Sequence, residues 1–292
     1  MKLYTFHIPE DTAAGKLLPL VRRMLPELDA KTVQKAFDCR DVKQNGKRMD
    51  KHAMLIPGAE VRLYTREEAA AGLSIPFVYE DENILIVHKP AGISCQKDTK
   101  GGLTIGELAA RQLGLSQPLR PCHRLDNQTE GLLILAKTDE AREAMEEAFY
   151  HRRIHKQYLC MVKGHPSPEH AVLRDWLIKD EKLAQVKIVK REQPRSLSVV
   201  TEYQVLEQRG DATLVEITLH TGRTHQIRAH MAAIGHPLLG DDKYGNRDFN
   251  KQKKAKSLML CAVSLSFDLT GRWSYLNLIH PRTKPSFLKG DR

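Results

Sequence analysis

A short polar run in the middle of the chain contains an aspartate two residues after an arginine. The run is Cys122-His123-Arg124-Leu125-Asp126, and it precedes a nearly continuous apolar segment that predicts a buried strand. An aspartate on a loop that enters a strand is a common position for a nucleophile or a general base. An aspartate near an arginine can equally form a surface ion pair or cap a helix. The run alone therefore leaves chemistry and structure as alternatives.

A second polar run, residues 219–231, lies nearly a hundred positions downstream. Gly222 allows the backbone to turn there, and a short helix is predicted to start at about residues 224–225. Arg223 remains charged even in a closed site, and its guanidinium can hold a carboxylate. If the chain brings Arg223 to Asp126, the positive charge stabilises the ionised carboxylate. The sequence therefore predicts an ion pair between these two side chains.

The overall charge indicates the kind of partner. The chain has 292 residues, with 46 Lys and Arg against 36 Asp and Glu, which gives a net charge of +10. An excess of this size favours a polyanionic partner, most commonly nucleic acid, although a merely basic protein has the same balance. Three basic stretches can follow a phosphate backbone or can be solvated loops: residues 151–156, 187–195 and 251–256.

The histidines of the second run raise the question of a metal site. His220, His225, His230 and His236 do not have the spacing that brings neighbouring pairs to one helical face, as the HExxH pattern does. No carboxylate is interleaved among them before Asp241. The pattern favours structural or nucleic-acid-facing histidines, and we expect no metal.

A strand is predicted around Tyr158, which can be a core residue or a flat surface for base stacking. The five cysteines are far apart and lack CxxC spacing, which argues against disulfides and a zinc site. No apolar run has the length of a signal peptide or a membrane span. We therefore expect a reducing, cytoplasmic environment and no membrane partner.

The elements around these residues predict an α+β fold with a large mixed, mostly antiparallel sheet and flanking helices. Strands and helices do not alternate strictly, which argues against a doubly wound parallel sheet. Thr104 and Thr138 are predicted to cap helices. Strands are predicted at residues 77–79, 84–88, 131–137, 157–162, 198–205, 212–220 and 263–267.

The N-terminal residues 1–66 predict a separate small module of two helices followed by a small sheet. A helix is predicted at 17–25 and a second after Asp29, which is a good N-cap. Asn45-Gly46 predicts a hairpin, and residues 61–65 alternate as a strand. The chain is thus expected to consist of this module, a linker at 67–74 and a larger domain at 75–292.

Together, these motifs resemble those of the RluA family of RNA pseudouridine synthases, in the family's order and over nearly the whole chain. Residues 1–65 resemble the RNA-binding module of the ribosomal-protein-S-four type. The matching motifs are residues 87–92, His123-Arg124-Leu125-Asp126 with Thr129 and residues 131–133, Lys156 and Tyr158 with Val162 and Gly164, and residues 222–230 continued by 235–241. Asn127, Gln128 and Glu130 depart from the family pattern.

The resemblance implies the isomerisation of uridine within RNA, without a cofactor. The N-terminal module favours ribosomal RNA, with transfer RNA as the alternative, and a monomer is taken as the default state. By this resemblance the catalytic residues are Asp126, Arg223 and Tyr158. Arg124 is expected to occupy the gap left by the flipped nucleotide. The substrate-binding residues implied are Arg124, His123, Thr129, Gln226 and Arg228.

Three other functions were weighed against this one. An inactive RNA-binding or ribosome-assembly factor would bind RNA without isomerising it, but the presence of all three catalytic residue types argues against such a factor. A metal-dependent hydrolase would have to use the histidines. A glycosidase needs a second carboxylate near Asp126, and none is evident.

Overall fold

The computed structural model describes residues 2–26, 28, 30–65, 74–97, 103–180 and 185–288. The chain divides into two compact units, residues 1–74 (the N-terminal unit) and residues 75–292 (the C-terminal unit). Residues 67–73 of the expected linker lie outside the described residues, as does the expected helix cap Asp29. Within the described ranges, no helix is long and apolar enough to cross a membrane.

The N-terminal unit is a four-stranded antiparallel sheet with two helices, in the strand order β1-β4-β2-β3. The predicted helices, hairpin and last strand are present, whereas the strand β1 that completes the sheet was not predicted. The elements are β1 (Lys2–His7), α1 (Leu17–Met24), α2 (Ala30–Asp38), β2 (Val42–Gln44), β3 (Lys47–Met49) and β4 (Glu60–Thr65).

The hairpin between β2 and β3 shows how local sequence sets this sheet. Asn45 and Gly46 both have positive φ angles, 48° and 80°, as a two-residue type I′ turn requires. The Asn45 side chain also accepts a hydrogen bond from the N–H of Glu60 on β4, at 2.9 Å. The unit has its own buried core, which includes Leu17, Val21, Val33, Phe37, Val61 and Leu63.

The C-terminal unit contains a ten-stranded sheet within the described residues, in the order β11-β10-β12-β13-β9-β14-β8-β6-β5, with β7 also paired to β8. Every pairing is antiparallel except that of β14 with β8, so the predicted mixed, mostly antiparallel sheet is confirmed. Its strands are β5 (Phe77–Glu80), β6 (Ile84–Lys89), β7 (Arg120–Pro121), β8 (Glu130–Ala136), β9 (Ile154–Lys163), β10 (His170–Asp180), β11 (Gln185–Val189), β12 (Leu197–Arg209), β13 (Ala212–Leu219) and β14 (Leu260–Phe267).

Helices and two short 3-10 segments accompany this sheet. The helices are α3 (Ile105–Gln112), α4 (Asp139–Tyr150), α5 (Gln226–Ala233) and α6 (Arg247–Gln252), and the 3-10 segments are Gly271–Leu278 and Ser286–Leu288. Both predicted caps are confirmed. Thr104 forms a capping box with Glu107, and the Thr138 side chain accepts from the N–H of Ala141.

The central strand β8 explains why an apolar run follows Asp126. All seven of its residues are buried, because it lies between β14 and β6 and is covered by α4. Gly131 has a φ of 116°, and a Cβ at this position would lie 2.3 Å from the carbonyl oxygen of Ala262 on β14. Glycine at 131 therefore allows β14 to pair at the start of β8, close to the loop that carries Asp126.

The basic stretch at 187–195, predicted as a loop, begins in a strand. Residues 187–189 belong to β11, which pairs with β10, and Lys190 forms an ion pair with Asp175 at 2.8 Å. In β10, which pairs with β11, nine of the eleven residues are exposed or only partly buried, and its apolar and polar residues occur in short runs rather than alternating, so its sequence lacks the pattern that identifies a strand. This part of the presumed phosphate-tracking loop is therefore a sheet edge.

Candidate active site

One cleft in the C-terminal unit brings together side chains from three separate parts of the chain. They come from the loop before β8, from β9, and from the segment between β13 and α5. Of the residues predicted from sequence, those that line this cleft are Arg124, Asp126, Thr129, Tyr158, Arg223, Gln226 and Arg228.

The backbone around Asp126 is held from both sides. The N–H of Thr129 donates to the carbonyl of Asp126 at 3.0 Å, closing a turn just before β8. On the other side, the N–H of Leu125 lies 3.4 Å from the Sγ of Cys95. The Asp126 side chain remains 18% exposed. The loop therefore presents a fixed but accessible carboxylate.

The buried side chain of Lys89 stabilises this loop by hydrogen bonds to its backbone. Its Nζ donates to the carbonyls of Pro90, Ile93 and Asn127 at 2.9, 2.9 and 3.1 Å. The side chain is fully buried, and burial lowers the pKa of Lys89 to about 8. Lys89 belongs to the first of the recognised motifs, but the sequence reading gave it no role. It joins the end of β6 to the residue that follows Asp126.

The departures from the family pattern beside Asp126 have structural contacts. The Asn127 Nδ2 donates to Ser94 Oγ at 2.8 Å. Glu130 is buried and accepts from the N–H of Ser286 at 2.7 Å, while His88 Nε2 lies 3.6 Å from its other oxygen. Burial acts to raise the pKa of Glu130, but the bonds from His88 and Ser286 outweigh it, and the net pKa is lowered. Glu130 therefore ties the C-terminal segment to β8.

Arg228 is the guanidinium beside the aspartate. Its Nη1 lies 3.6 Å from Asp126 Oδ2, and its Nε and Nη2 donate to the two oxygens of Asp241 at 2.7 and 2.8 Å. Nη2 also donates to Asp242 at 3.0 Å. Burial acts to lower the pKa of Arg228, but the bonds and negative charge of Asp241 outweigh it and raise the pKa. Arg228 is thus a buried, permanently charged group in a fixed orientation.

The predicted ion pair between Arg223 and Asp126 is wrong for this structure. Among the described residues, the ion-pair partners of Asp126 within 4.0 Å are Arg228 and His225. Arg223 is exposed in the turn before α5, whereas Arg228 lies on the helix and is only 3% exposed. Arg228, for which the sequence predicted a substrate contact, therefore has the position expected of Arg223.

Gln226 lines the cleft, but its amide is used within the protein. Its Nε2 donates to the carbonyl of Val200 at 3.1 Å and to Thr201 Oγ1 at 2.9 Å. Its Oε1 accepts from Thr221 Oγ1 at 2.8 Å and from the N–H of Arg223 at 3.0 Å. Both amide hydrogens are therefore occupied, and Gln226 supports the loop that presents Arg223. Its predicted contact with the substrate stays a prediction.

Tyr158 and Lys156 lie on the same face of β9, since side chains two residues apart in a strand share a face. Tyr158 is 4% exposed, and burial raises its pKa well above the ordinary value, so the phenol is protonated at neutral pH. Burial lowers the pKa of Lys156 to about 8. Its Nζ lies 5.1 Å from the centre of the Phe149 ring and lines the cleft. The side of the cleft formed by β9 therefore combines an aromatic ring with an amine.

His225 completes the immediate surroundings of Asp126 and was not assigned a role from sequence. Its Nε2 lies 3.8 Å from Asp126 Oδ2, and its Nδ1 lies 3.0 Å from the hydroxyl of Tyr244. The pKa of His225 is lowered, chiefly by burial and against the opposing charge of Asp126. The signal that could have identified it was its position in the same motif as Arg228.

His123 lies away from the cleft, in contrast to its predicted substrate contact. Its Nε2 accepts the N–H of Ile134 on β8 at 3.1 Å, and its ring centre is 4.4 Å from that of Phe149. Burial lowers the pKa of His123 well below the ordinary value. The ring is a neutral packing residue that anchors the loop to β8.

The other histidines have separate protein partners. His220 contacts Glu202 at 2.8 Å, His236 Nδ1 lies 2.9 Å from the carbonyl of Lys163, and His230 lies between Thr201 and Asp175. Over the described ranges, no group of three His, Cys, Asp or Glu side chains has the geometry of a metal site.

Comparison with known proteins identifies the family of the chain. Residues 83–233 match the model of a family described as RNA pseudouridylate synthase, over a range that includes Asp126, Tyr158 and Arg228. The chain belongs to the RluA family of RNA pseudouridine synthases. It is therefore an isomerase that acts on RNA.

Relatives of this synthase match over most of its length. Ribosomal large subunit pseudouridine synthase C of Vibrio cholerae is 31% identical over 280 residues, covering 89% of this chain and 87% of the relative. Ribosomal large subunit pseudouridine synthase D of Zymomonas mobilis is 35% identical over 221 residues, covering 72% and 66%. The solved structure of human RNA pseudouridylate synthase domain containing 4 is 26% identical, with a TM-score of 0.60 over 75% of this chain and 91% of that chain.

Proposed function

We propose that this synthase converts one or more uridines of large-subunit ribosomal RNA to pseudouridine, with Asp126 as the essential carboxylate. The observation that supports this most strongly is the position of Asp126 in the cleft, between Arg228 and His225. The names of the synthase C and synthase D relatives favour ribosomal over transfer RNA as the substrate. We take the enzyme to act as a monomer.

The reaction consumes no second reactant. The bond between ribose C1′ and uracil N1 breaks, a bond forms between C1′ and C5, and the proton on C5 is replaced by one on N1. In this proposal Asp126 is the carboxylate that acts on the uridine as its base detaches from the ribose. Arg228, whose Nη1 lies 3.6 Å from Asp126 Oδ2, places a positive charge beside the carboxylate and stabilises the separated charge, the role expected of Arg223 from the sequence.

Tyr158 provides the surface for the uracil ring. Because its pKa is raised by burial, its hydroxyl remains protonated and is unsuited to act as a base at neutral pH without a partner that removes its proton. We therefore assign Tyr158 to stacking under the base, with its hydroxyl near the reacting atoms.

The remaining cleft residues fit the handling of a flipped nucleotide. Extruding a stacked or paired base costs roughly a few kcal/mol. Arg124 is exposed at the edge of the cleft, where it can occupy the gap left by the nucleotide, and Thr129 lies deeper, beside Asp126. Lys156 and Arg223 supply positive charge for the phosphates on either side.

The N-terminal module, residues 1–66, is proposed to bind RNA outside the catalytic domain (75–292), with residues 67–74 as the linker. Its exposed basic residues include Arg40, Lys47 and Arg48, which lie at or near the hairpin of β2 and β3. Binding through such residues falls steeply as the salt concentration rises, because phosphate neutralisation releases counterions.

The decisive experiment uses Asp126→Asn, which keeps the shape of the side chain but removes its charge. With RNA carrying 5-tritiated uridine, we expect wild-type enzyme to release tritium and Asp126→Asn to release none, with RNA affinity retained. Asp268→Asn is the matched control, since Asp268 is exposed and does not line the cleft. Tritium release by Asp126→Asn at the wild-type rate would refute the essential role.

The RNA target is tested by mapping pseudouridines in ribosomal and transfer RNA from a deletion strain and its parent. We expect sites in large-subunit ribosomal RNA to be lost, and to return with the wild-type gene but not with Asp126→Asn. Losses confined to transfer RNA would overturn the ribosomal assignment.

A further inference from the structure

His225 has an unusual backbone for a residue that carries a side chain. Its φ and ψ angles are 53° and 18°, in the left-handed region, immediately before α5. Residues other than glycine are uncommon there, although Asn, Asp and His occur more often than the rest. At functional sites such a conformation persists when surrounding contacts require the side chain to be in one place. The contacts of the His225 imidazole show which position the side chain occupies.

The hydrogen bonds of Tyr244 determine which nitrogen of His225 carries the proton. The Tyr244 hydroxyl oxygen accepts the N–H of Val186 on β11, at 2.8 Å. Its own hydrogen needs an acceptor, and within the described part of the chain the atom available is His225 Nδ1, at 3.0 Å. When the hydroxyl donates to this atom, Nδ1 is the acceptor. A neutral imidazole carries one proton, which must then be on Nε2.

The protonated Nε2 lies against the carboxylate. It is 3.8 Å from Asp126 Oδ2, and the closest approach of Arg228 to Asp126, at 3.6 Å, is to the same oxygen. These distances exceed hydrogen-bond length, and contacts between catalytic groups commonly shorten to that length when the substrate binds. Two donors directed at Oδ2 leave Oδ1 as the oxygen that can face the substrate.

We propose that His225 is a positioning residue for catalysis, which donates its Nε2 hydrogen to Asp126 Oδ2 and so turns Oδ1 toward the nucleoside, with its tautomer set by Tyr244 and Val186. This inference rests on the proposed role of Asp126 as the essential carboxylate. It adds a second donor to the one supplied by Arg228, and that donor carries no charge of its own.

A purely structural role for His225 is the alternative. Its carbonyl accepts the N–H of Ala229 in the first turn of α5, so a replacement could disturb the helix that carries Arg228. Such damage would reduce thermal stability and activity together. It would not depend on which side-chain nitrogen is retained.

Two amide replacements separate the alternatives. In His225→Gln the amide nitrogen can reach the position of Nε2, whereas in His225→Asn it reaches only that of Nδ1. Asn tolerates the left-handed backbone better than Gln, so the Asn variant should be at least as stable. We expect the single-turnover rate of His225→Asn to be at least about tenfold below that of His225→Gln, because a carboxylate misplaced by ~1 Å can lose ~10²-fold in rate. RNA affinity should be the same in both variants.

Equal rates for the two variants, or rates that follow their melting temperatures, would overturn the proposal. The Asp126→Asn variant keeps this outcome separate from failure of the proposed function. If Asp126→Asn is active, the essential carboxylate is refuted whatever the His225 variants do. If it is inactive and the two amide variants are alike, only the positioning role is refuted.

Tyr244→Phe tests the tautomer. It keeps the ring, whose centre lies 5.3 Å from the Arg228 guanidinium carbon, and removes only the hydroxyl. We expect the rate to fall several-fold in the wild-type background, because the imidazole proton is no longer confined to Nε2. In the His225→Gln background the same change should have little further effect, since an amide nitrogen always carries its hydrogens. Equal losses in the two backgrounds would refute control through the tautomer.

Discussion

Replacing Arg228 by lysine tests the central electrostatic feature of the site, because it keeps the charge and removes the planar fork. In the wild type the guanidinium makes two parallel bonds to Asp241, and a third contact reaches Asp126. A lysine amine is a single point of charge on a flexible stem and cannot reproduce this geometry. Arg223→Lys is the matched comparison, since it makes the same change five residues earlier.

The expected size of the effect follows from these contacts. Arg228→Lys loses at least one of the two buried charge-assisted bonds to Asp241, each worth about 1.5–3 kcal/mol. Asp241 keeps hydrogen bonds from the N–H groups of Lys243 and Tyr244, so its charge is not left without partners. We therefore expect a loss of ~2 kcal/mol in the free energy of unfolding. Because the carboxylate also loses a fixed neighbour, we expect a rate loss of about 10²-fold.

The measurements are thermal unfolding, RNA affinity and single-turnover tritium release for both variants. Arg223 is exposed, so we expect Arg223→Lys to change unfolding by less than ~0.5 kcal/mol and to act mainly on RNA affinity. If Arg223→Lys slowed the chemical step more than Arg228→Lys did, Arg223 would be the partner of Asp126 during the reaction. That result would refute the assignment of this role to Arg228.

Two further predictions concern the strands that flank the cleft. Lys156 has a pKa of about 8, so its amine is charged at pH 7 and largely neutral at pH 9. We therefore expect Lys156→Met to weaken RNA binding roughly tenfold at pH 7 but much less at pH 9. Filter binding at the two pH values measures this difference. An equal effect at both pH values would exclude a charge contact to RNA. Gly131→Ala should destabilise the protein by roughly 3 kcal/mol in thermal unfolding, because a Cβ would meet the Ala262 carbonyl and φ is 116°. Gly210→Ala is the control, since φ is also positive at Gly210, at 63°, but a Cβ added there would have no atom within 4 Å. Equal losses of stability in the two variants would mean that the close approach of β14 is not what requires glycine at 131.

Local signals in the sequence predict much of the fold. The Asn45-Gly46 hairpin and the Thr104 and Thr138 caps were identified because each depends on contacts within a few residues. The strands β1 and β10 were missed for a related reason. A strand that is half exposed has little alternation of apolar and polar residues, and only its partners elsewhere in the chain identify it.

The active site was also only partly predictable from the sequence, because the contacts that decide it join distant parts of the chain. Asp126 and Tyr158 were placed in one cleft by their motifs, but the two arginines of a single motif could not be ranked from their spacing. The two arginines differ in their contact with Asp241. This residue lies thirteen positions after Arg228 and holds the Arg228 guanidinium within the protein.

The sequence shows Asp241 at the end of the last motif, but its spacing from Arg228 does not predict that the two side chains pair. Asp241 is followed by Asp242, and both contact Arg228, so the acidic pair and the arginine form one unit. Burial acts to raise the pKa of Asp241, but the bonds from Arg228 outweigh it and lower the pKa. The paired charges can therefore remain ionised inside the protein. Because Asp241 fixes the position of the Arg228 guanidinium, Arg228 can stabilise the Asp126 carboxylate without having to move toward it during the reaction.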